Sequence, residues 1–385
     1  MRRRAFWLSR IQEAWQRRSV VWLSGVRRVG KTMLCQSLAD EPDGHLVEYL
    51  DCELPRVRRE LADPEGFLRS VRGKRVILDE IHRLPNPSEL LKIAADHFPE
   101  TRVIATGSST LQASARFRDT LTGRKVELWL TPMMSADLSD FGGADLRQRL
   151  QRGGLPPFFL SPDQPEYAFQ EWMESYWARD VQELFRVERR ASFQRLVELL
   201  LMQSGGIFEA TRYAGPCEIS RPTVTNYLGV LESTRLAHII RPFSTRRAGE
   251  VVSAPKVYGF DTGFICHYRG WYTPRPEDLG VLWEHYVLNE LQSRAPAQPI
   301  RYWRDKRGHE VDFVLPRRGG PPVGIECKWS AETADLHGLR AFRQRYPEGE
   351  NWIVAQDVDR GYSRTQDGLE LQFMGLEELG RRAVP

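Results

Sequence analysis

Apolar runs of strand length alternate with helix-like segments through the first third of the chain. The runs lie at residues 19–24, 46–51, 76–78, 101–105 and 126–130, and segments such as 6–16 and 33–40 have the spacing of amphipathic helices. Strands separated by helices are typical of an α/β domain. We therefore predict an α/β domain over residues 1–155, which ends at the glycine- and proline-rich stretch 153–165.

The next hundred residues have mainly helical spacing. Helix-like segments at 167–185 and 192–202 precede a short helix at 208–213, a turn at 214–216 and a second helix at 220–231. A strand-like run at 236–242 then leads into an arginine-containing segment at 244–249. This order predicts a helical, winged-helix-like domain over residues 156–255.

The last part of the chain returns to a mixed pattern. A helix at 282–291 is followed by strands at 300–304, 310–315 and 323–329, a helix at 334–346 and a strand at 352–355. We predict a second α/β domain over residues 256–385.

Composition narrows the class of protein. The 385 residues are 41% hydrophobic and 28% charged, and no apolar run approaches the length that a bilayer demands. The five cysteines form no CxxC pair, and the apolar run after the basic start is too short for a signal peptide. We expect a cytoplasmic protein without a membrane partner. The net charge of +4 is not by itself a strong sign of nucleic-acid binding.

The strongest chemical signal follows the first apolar run. Residues 25–32 read Gly-Val-Arg-Arg-Val-Gly-Lys-Thr between a strand and a helix, which is the setting of a phosphate-binding loop. Lys31 would reach the β and γ phosphates, and the Thr32 hydroxyl would bind Mg²⁺, so the pattern predicts ATP and Mg²⁺ as cofactors. The residues assigned to the nucleotide are Gly25, Arg27, Arg28, Val29, Gly30, Lys31 and Thr32.

Two successive carboxylates end the apolar run at 76–78, and they resemble a Walker B motif. Asp79 would join the Mg²⁺ shell, and Glu80 would polarise the attacking water as a general base. Ser108 follows the next strand, at a position from which the γ phosphate could be sensed. These side chains complete a predicted site for ATP hydrolysis.

Arginines cluster between residues 114 and 124. Arg124 is the preferred candidate for an arginine finger that acts on the ATP of a neighbouring subunit, and Arg116 and Arg118 are alternatives. The arginines could equally form a solvated basic face.

The helix at 220–231 carries polar residues near its start, where a recognition helix meets DNA. The segment at 244–249 would then be the arginine-tipped wing of a winged helix. The alternative is a helical lid or an interdomain packing module. The predicted DNA contacts are Arg221, Thr223, Thr225, Asn226, Arg246 and Arg247.

Three carboxylates and a lysine lie among apolar residues in the last part of the chain. Glu284 is predicted on the buried face of its helix, where an unpaired carboxylate is costly. Asp312 lies in an apolar strand, and Glu326 and Lys328 face the same side of the next strand. In this order the residues resemble the PD-(D/E)XK nuclease fold. The resemblance implies that Asp312 and Glu326 bind Mg²⁺, that Glu284 completes the metal shell and that Lys328 positions the water, although domains of this fold can also serve only to grip DNA.

The motifs together suggest a family. Gly-Val-Arg-Arg-Val-Gly-Lys-Thr, Ile-Leu-Asp-Glu-Ile-His-Arg-Leu-Pro, Thr-Gly-Ser-Ser and Leu-Thr-Gly-Arg resemble prokaryotic AAA+ ATPases that carry a C-terminal domain of unknown function numbered 4143. The likeness covers nearly the whole chain. It implies an AAA+ fold with a five-stranded parallel sheet flanked by helices.

These features predict an ATP-hydrolysing, DNA-binding machine that forms a homo-oligomer, expected to be a hexameric ring. It would remodel or translocate duplex or branched DNA, with metal-dependent DNA cleavage by the C-terminal domain as an open addition. The alternative is a regulatory ATPase switch, in defence or a toxin–antitoxin-like circuit, with a non-catalytic nuclease fold.

Overall fold

The computed structural model describes residues 3–39, 46–107, 121–143, 145–163, 166–182, 185, 187, 189–244, 254–333 and 335–383. Its contacts divide the chain into two units. The first comprises residues 1–144, 155–188 and 233–235, and the second comprises residues 145–154, 189–232 and 236–385.

The α-helices of the described residues are α1 Ala5–Arg17, α2 Lys31–Ala39, α3 Pro55–Glu60, α4 Pro64–Ser70, α5 Pro87–His97, α6 Ser135–Asp140, α7 Leu146–Arg152, α8 Pro156–Leu160, α9 Glu166–Tyr176, α10 Arg190–Met202, α11 Ala210–Ala214, α12 Arg221–Ser233, α13 Thr262–Arg269, α14 Pro276–Arg294, α15 His337–Arg345 and α16 Leu376–Ala383. The strands are β1 Val20–Ser24, β2 Val47–Asp51, β3 Arg75–Asp79, β4 Arg102–Gly107, β5 Lys125–Trp129, β6 Gly206–Ile207, β7 Ala237–Pro242, β8 Lys256–Gly259, β9 Arg301–Arg304, β10 Glu310–Arg317, β11 Gly320–Lys328, β12 Asn351–Ala355, β13 Tyr362–Gln366 and β14 Leu369–Met374. Short 3₁₀ turns lie at Ile81–Arg83 and Ala331–Thr333, and a π-helical turn spans Trp177–Val181.

The first unit is built on a five-stranded parallel sheet in the order β2-β3-β4-β1-β5. All five residues of the central strand β1 are buried. A strand buried on both faces has no polar alternation, which is why its sequence is a continuous apolar run. The structure confirms the predicted α/β fold and the parallel sheet.

The second unit contains a mixed nine-stranded sheet in the order β13-β14-β12-β11-β10-β9-β7-β8-β6. Strands β10 and β11 form an antiparallel pair, whereas β12 runs parallel to both β11 and β14. Strand β7 pairs in parallel with β9. The strands that follow the predicted helix-turn-helix and those of the predicted C-terminal domain therefore belong to one continuous sheet.

Candidate functional sites

The loop between β1 and α2 has the backbone of a phosphate cradle. A Cβ atom on Gly25 would lie 2.8 Å from the Leu130 carbonyl oxygen, so this position has no room for a side chain. Gly30 has a φ of +102°, which glycine adopts without steric cost, and Arg28 has a φ of +60°. These angles turn the chain back so that α2 begins at Lys31, with its unpaired N–H groups at the loop.

Lys31 is buried inside this loop. Its side chain is 8% exposed, and Nζ donates to the carbonyl oxygens of Gly25, at 2.9 Å, and Val26, at 3.3 Å. Burial lowers the pKa of Lys31, although Glu80, Asp180 and Asp79 act in the opposite direction. An anionic ligand would stabilise both the buried ammonium and the positive end of the helix next to it.

Asp79 ends β3 and is held rigidly. Its Oδ2 accepts a 2.7 Å hydrogen bond from the Tyr49 hydroxyl, and its Oδ1 accepts one from the Thr106 hydroxyl. Thr106 also accepts a 3.0 Å bond from the backbone N–H of Glu80. The parallel pairing of β2, β3 and β4 brings these residues to one edge, so Tyr49 and Thr106 fix the orientation of the carboxylate.

Glu80 follows in a left-handed conformation, with a φ of +52°. This angle is uncommon for a residue with a side chain and is typical of functional sites. Its Oε2 lies 3.1 Å from His82 Nδ1. Burial favours the neutral acid, but His82 and Lys31 outweigh burial and lower the pKa of Glu80 to about 2. Glu80 is therefore anionic at any pH near neutrality.

A segment far along the chain completes the surroundings of the loop. The Trp172 indole N–H donates to the Arg27 carbonyl oxygen at 3.2 Å, and the Arg28 guanidinium lies 2.6 Å from Glu171 Oε1. Asp180, in the π-helical turn, is 6% exposed, and its Oδ2 has no hydrogen-bond partner among the described residues. Burial raises the pKa of Asp180 to about 6, against the nearby positive charges of Arg27 and Lys31.

ATP and Mg²⁺ fit this donor set. The loop has no space at Gly25, a buried cation at Lys31 and a helix N-terminus, and Thr32 is half-buried beside it. Asp79 offers an oriented carboxylate near Lys31. Mg²⁺ usually keeps several waters and binds through one or two protein oxygens plus the phosphates, so a dedicated protein cage is not required.

The structure does not test the roles predicted for the other residues of ATP hydrolysis. Ser108, Arg116 and Arg118 lie outside the described residues. Arg124 Nε donates to the Asp96 carboxylate at 2.8 and 3.0 Å within its own unit. Its role as an arginine finger stays a prediction.

The residues predicted to contact DNA differ in their exposure to solvent. Arg221, Thr225 and Asn226 are exposed near the start of α12, and the other face of the helix, with Val224 and Tyr227, is buried. Thr223 is half-buried, and its hydroxyl lies 2.8 Å from that of Ser220, which caps the helix. Arg246 and Arg247 lie outside the described residues. The start of this helix thus presents three polar side chains to solvent.

Two of the three predicted C-terminal carboxylates, Glu284 and Glu326, are paired with lysines. Lys256, which sequence reasoning missed, lies with its Nζ 2.9 Å from Glu284 Oε1 and 2.8 Å from Glu310 Oε1. Lys328 Nζ lies 2.8 Å from Glu326 Oε2, as the spacing of two along β11 predicts. Asp312 Oδ2 accepts a 2.8 Å bond from the backbone N–H of Cys327.

The described residues contain no group of three or more His, Cys, Asp or Glu side chains arranged to hold a metal ion. Glu284 Oε1 accepts hydrogen bonds from Lys256 Nζ at 2.9 Å and from the Tyr258 hydroxyl at 2.5 Å. Burial and the charge of Glu284 raise the pKa of Asp312 to about 6, and burial raises that of Glu326. A Mg²⁺ shell that uses Glu284 Oε1 does not fit this arrangement, because Lys256 and Tyr258 already contact that oxygen.

The sheet order, the glycine-bounded loop and the acidic end of β3 define a P-loop ATPase domain of the AAA+ type. Residues 17–138 match the family model AAA_14, an AAA domain, and residues 279–376 match DUF4143, a domain of unknown function. Residues 143–275 match DUF8612, another domain of unknown function. The chain thus combines an AAA_14 domain with a C-terminal DUF4143 domain, which confirms the family resemblance.

Two mycobacterial relatives are described as uncharacterized proteins. One from Mycobacterium tuberculosis and one from Mycobacterium bovis are each 26% identical over 342 residues, which is 86% of this chain and 75% of the relative. Among solved structures, the chain is similar to a Walker-type ATPase of Pyrococcus abyssi, with 16% identity, a TM-score of 0.45 and coverage of 70% of this chain and 96% of that one. It is also similar to AMPPCP-bound DnaA from Aquifex aeolicus, with 13% identity, a TM-score of 0.29 and coverage of 59% and 86%.

No described helix combines the length and apolar character needed to cross a membrane.

Proposed function

We propose that this protein hydrolyses ATP at the P-loop and uses the energy to remodel or translocate duplex or branched DNA. The observation that carries ATP hydrolysis is the meeting of the buried Lys31 with Asp79 and Glu80 at one edge of the parallel sheet. These are the three roles that phosphoryl transfer requires, namely a phosphate-binding cation, a metal-binding carboxylate and a group that orients water.

Each residue has a defined task in this mechanism. Lys31 exchanges the carbonyl oxygens of Gly25 and Val26 for phosphate oxygens, because a phosphate is the stronger acceptor for an ammonium. Glu80, anionic near neutral pH, accepts a hydrogen bond from the attacking water and orients it in line with the γ phosphate. Thr32 and Asp79 would hold Mg²⁺, which supplies charge stabilisation at the phosphates.

The exposed start of α12 supports the DNA part of the proposal. Arg221, Thr225 and Asn226 present a guanidinium, a hydroxyl and an amide to solvent, the groups that contact phosphates and base edges. Helix α12 is followed by the antiparallel strands β7 and β8, the order of a helix and wing. The hexameric ring stays a prediction, as does DNA cleavage, and the proposal needs neither.

ATP hydrolysis with and without single-stranded, duplex and four-way-junction DNA tests the proposal. Lys31→Ala is expected to abolish hydrolysis, and Glu80→Gln is expected to slow it by about 100-fold or more while ATP binding persists. One DNA form should stimulate the rate, and Arg221→Ala should weaken that stimulation. Arg212→Ala removes an exposed arginine of the neighbouring helix α11 and serves as the matched control.

The second candidate is a regulatory switch whose nucleotide state controls a protein partner. It is favoured by the contacts of Glu171 and Trp172 with the loop, because a change at the loop would be transmitted directly to α9. If no DNA form changes the hydrolysis rate and a protein partner does, the DNA machine is refuted and the switch is supported.

A further inference from the structure

The starting point is the buried lysine of the C-terminal sheet. Lys256 lies on β8, is 4% exposed, and its Nζ contacts Glu284 and Glu310 at 2.9 and 2.8 Å. Nζ also lies 5.4 Å from the centre of the Tyr258 ring. A buried ammonium persists only where its hydrogen bonds and its charge are both compensated, and these neighbours do both.

Two of the surrounding carboxylates are also paired with cations. Glu310 Oε2 lies 3.3 Å from the Arg304 guanidinium, and Glu326 Oε2 lies 2.8 Å from Lys328. Glu326 Oε1, in contrast, is buried and has no hydrogen-bond partner among the described residues. We use the name C-terminal cluster for Lys256, Glu284, Glu310, Asp312, Glu326 and Lys328.

We infer that Lys256 is the resident cation of the C-terminal cluster, and that it competes with a catalytic divalent metal for the carboxylate of Glu284. A nuclease metal requires free carboxylate oxygens that converge on one point. Here Lys256 bridges the helix carboxylate Glu284 and the strand carboxylate Glu310. We therefore expect the C-terminal domain to show no metal-dependent cleavage of phosphodiester bonds.

The electrostatics agree with this arrangement. Burial opposes the charge of Lys256, but Glu284, Tyr258 and Asp312 outweigh it and raise its pKa well above the ordinary value. Burial also opposes the charge of Glu284, yet Lys256 and the Tyr258 hydroxyl lower the pKa of that carboxyl. A divalent cation at Glu284 would have to displace an ammonium that is held by two carboxylates.

Mn²⁺ binding to the full-length, nucleotide-free protein tests the inference directly. Electron paramagnetic resonance of free Mn²⁺ at pH 7.5 is expected to detect no stoichiometric site that depends on Asp312. A background site at the P-loop is identified by Thr32→Ala. If the unaltered protein binds one Mn²⁺ and Asp312→Asn abolishes that binding, the inference is overturned. Asp312-dependent DNA cleavage with Mn²⁺ would overturn it as well.

A second variant tests the role of the lysine itself. Lys256→Met keeps the length of the side chain and removes its charge, so we expect Mn²⁺ to bind at least 10-fold more tightly than to the unaltered protein. Lys306→Met removes an exposed lysine and should leave binding unchanged. If Lys256→Met folds and gains no Mn²⁺ site, Lys256 does not exclude the metal and the inference fails. If Lys256→Met does not fold, the comparison of the unaltered protein with Asp312→Asn decides.

This inference is independent of ATP hydrolysis. The Mn²⁺ measurement contains no nucleotide, and Lys31 and Glu80 play no part in it. If the protein proves not to hydrolyse ATP, the inference about Lys256 is unaffected. If the inference about Lys256 fails, the proposal of ATP hydrolysis is unaffected.

Discussion

Asp180 is a buried carboxylate beside the P-loop, and its replacement by asparagine tests the electrostatics of the candidate nucleotide site. The side chain is 6% exposed, and its Oδ2 has no hydrogen-bond partner among the described residues. Arg27, Lys31 and His82 are close enough to favour its charged form, while burial and Glu80 disfavour it. Asparagine has almost the same shape and no charge, so the substitution isolates the charge.

The magnitude follows from the pKa. Burial raises the pKa of Asp180 from an ordinary value of 3.8 to about 6. Since the folded state binds this proton more tightly than the unfolded state does, the free energy of unfolding falls as the pH rises through the window between these two values. The loss is roughly 3 kcal/mol at pH 7.5, where the group is ionised in both states. Asp180→Asn should therefore stabilise the protein by up to that amount at pH 7.5, and by about half as much at pH 5.

Urea unfolding at the two pH values measures this effect. Tryptophan fluorescence follows the transition, and hydrogen exchange of residues 166–181 identifies the unfolding of the first unit. Asp163→Asn, at an exposed carboxylate, is the control and should change stability little at either pH. A variant that is destabilised at pH 7.5, or a gain that does not depend on pH, would mean that Lys31 and Arg27 compensate the charge of Asp180. The reasoning would then be wrong.

Two further predictions concern the support of the loop. Arg4→Met removes the counter-charge of the fully buried Asp137, which Arg4 contacts at 2.5 Å, and is expected to lower the free energy of unfolding by about 3–5 kcal/mol in urea. Arg10→Met breaks an exposed pair and should cost less than about 1 kcal/mol; equal costs would refute the argument from burial. Gly25→Ala places a Cβ 2.8 Å from a backbone oxygen, so we expect weaker ATP binding by calorimetry. Gly215→Ala has open space around it and is the control; unchanged affinity in Gly25→Ala would contradict the close approach.

The sequence predicted most of the fold because its signals are local. The apolar run at 19–24 is β1 at Val20–Ser24, and the run at 46–51 is β2 at Val47–Asp51. The hairpin β13–β14 was missed because β13 is almost entirely exposed and has no apolar face. A signal was nevertheless present, since Asp367 and Gly368 both have positive φ and Asp-Gly is a preferred two-residue hairpin turn.

The sequence predicted some residues of each candidate site and missed others. Lys31, Asp79 and Glu80 belong to motifs with fixed spacing, and the structure brings them together at one edge of the sheet. Asp180 lies about a hundred residues beyond the motif strands, so only the three-dimensional fold could place it near Lys31. Lys256 is 54 positions from Glu310, and no spacing rule connects a lysine on β8 with a carboxylate on β10.

The two charged sites differ in a way that bears on their functions. At the P-loop, burial lowers the pKa of Lys31 and raises that of Asp180, so each group is less favourable in its charged form than it would be in water. A charged ligand that binds nearby can stabilise such charged forms, and groups with perturbed pKa values are enriched at functional sites. In the C-terminal cluster, Lys256 and Glu284 each stabilise the charge of the other. Because this pair is balanced, the electrostatic argument for chemistry applies to the P-loop and not to the pair of Lys256 and Glu284.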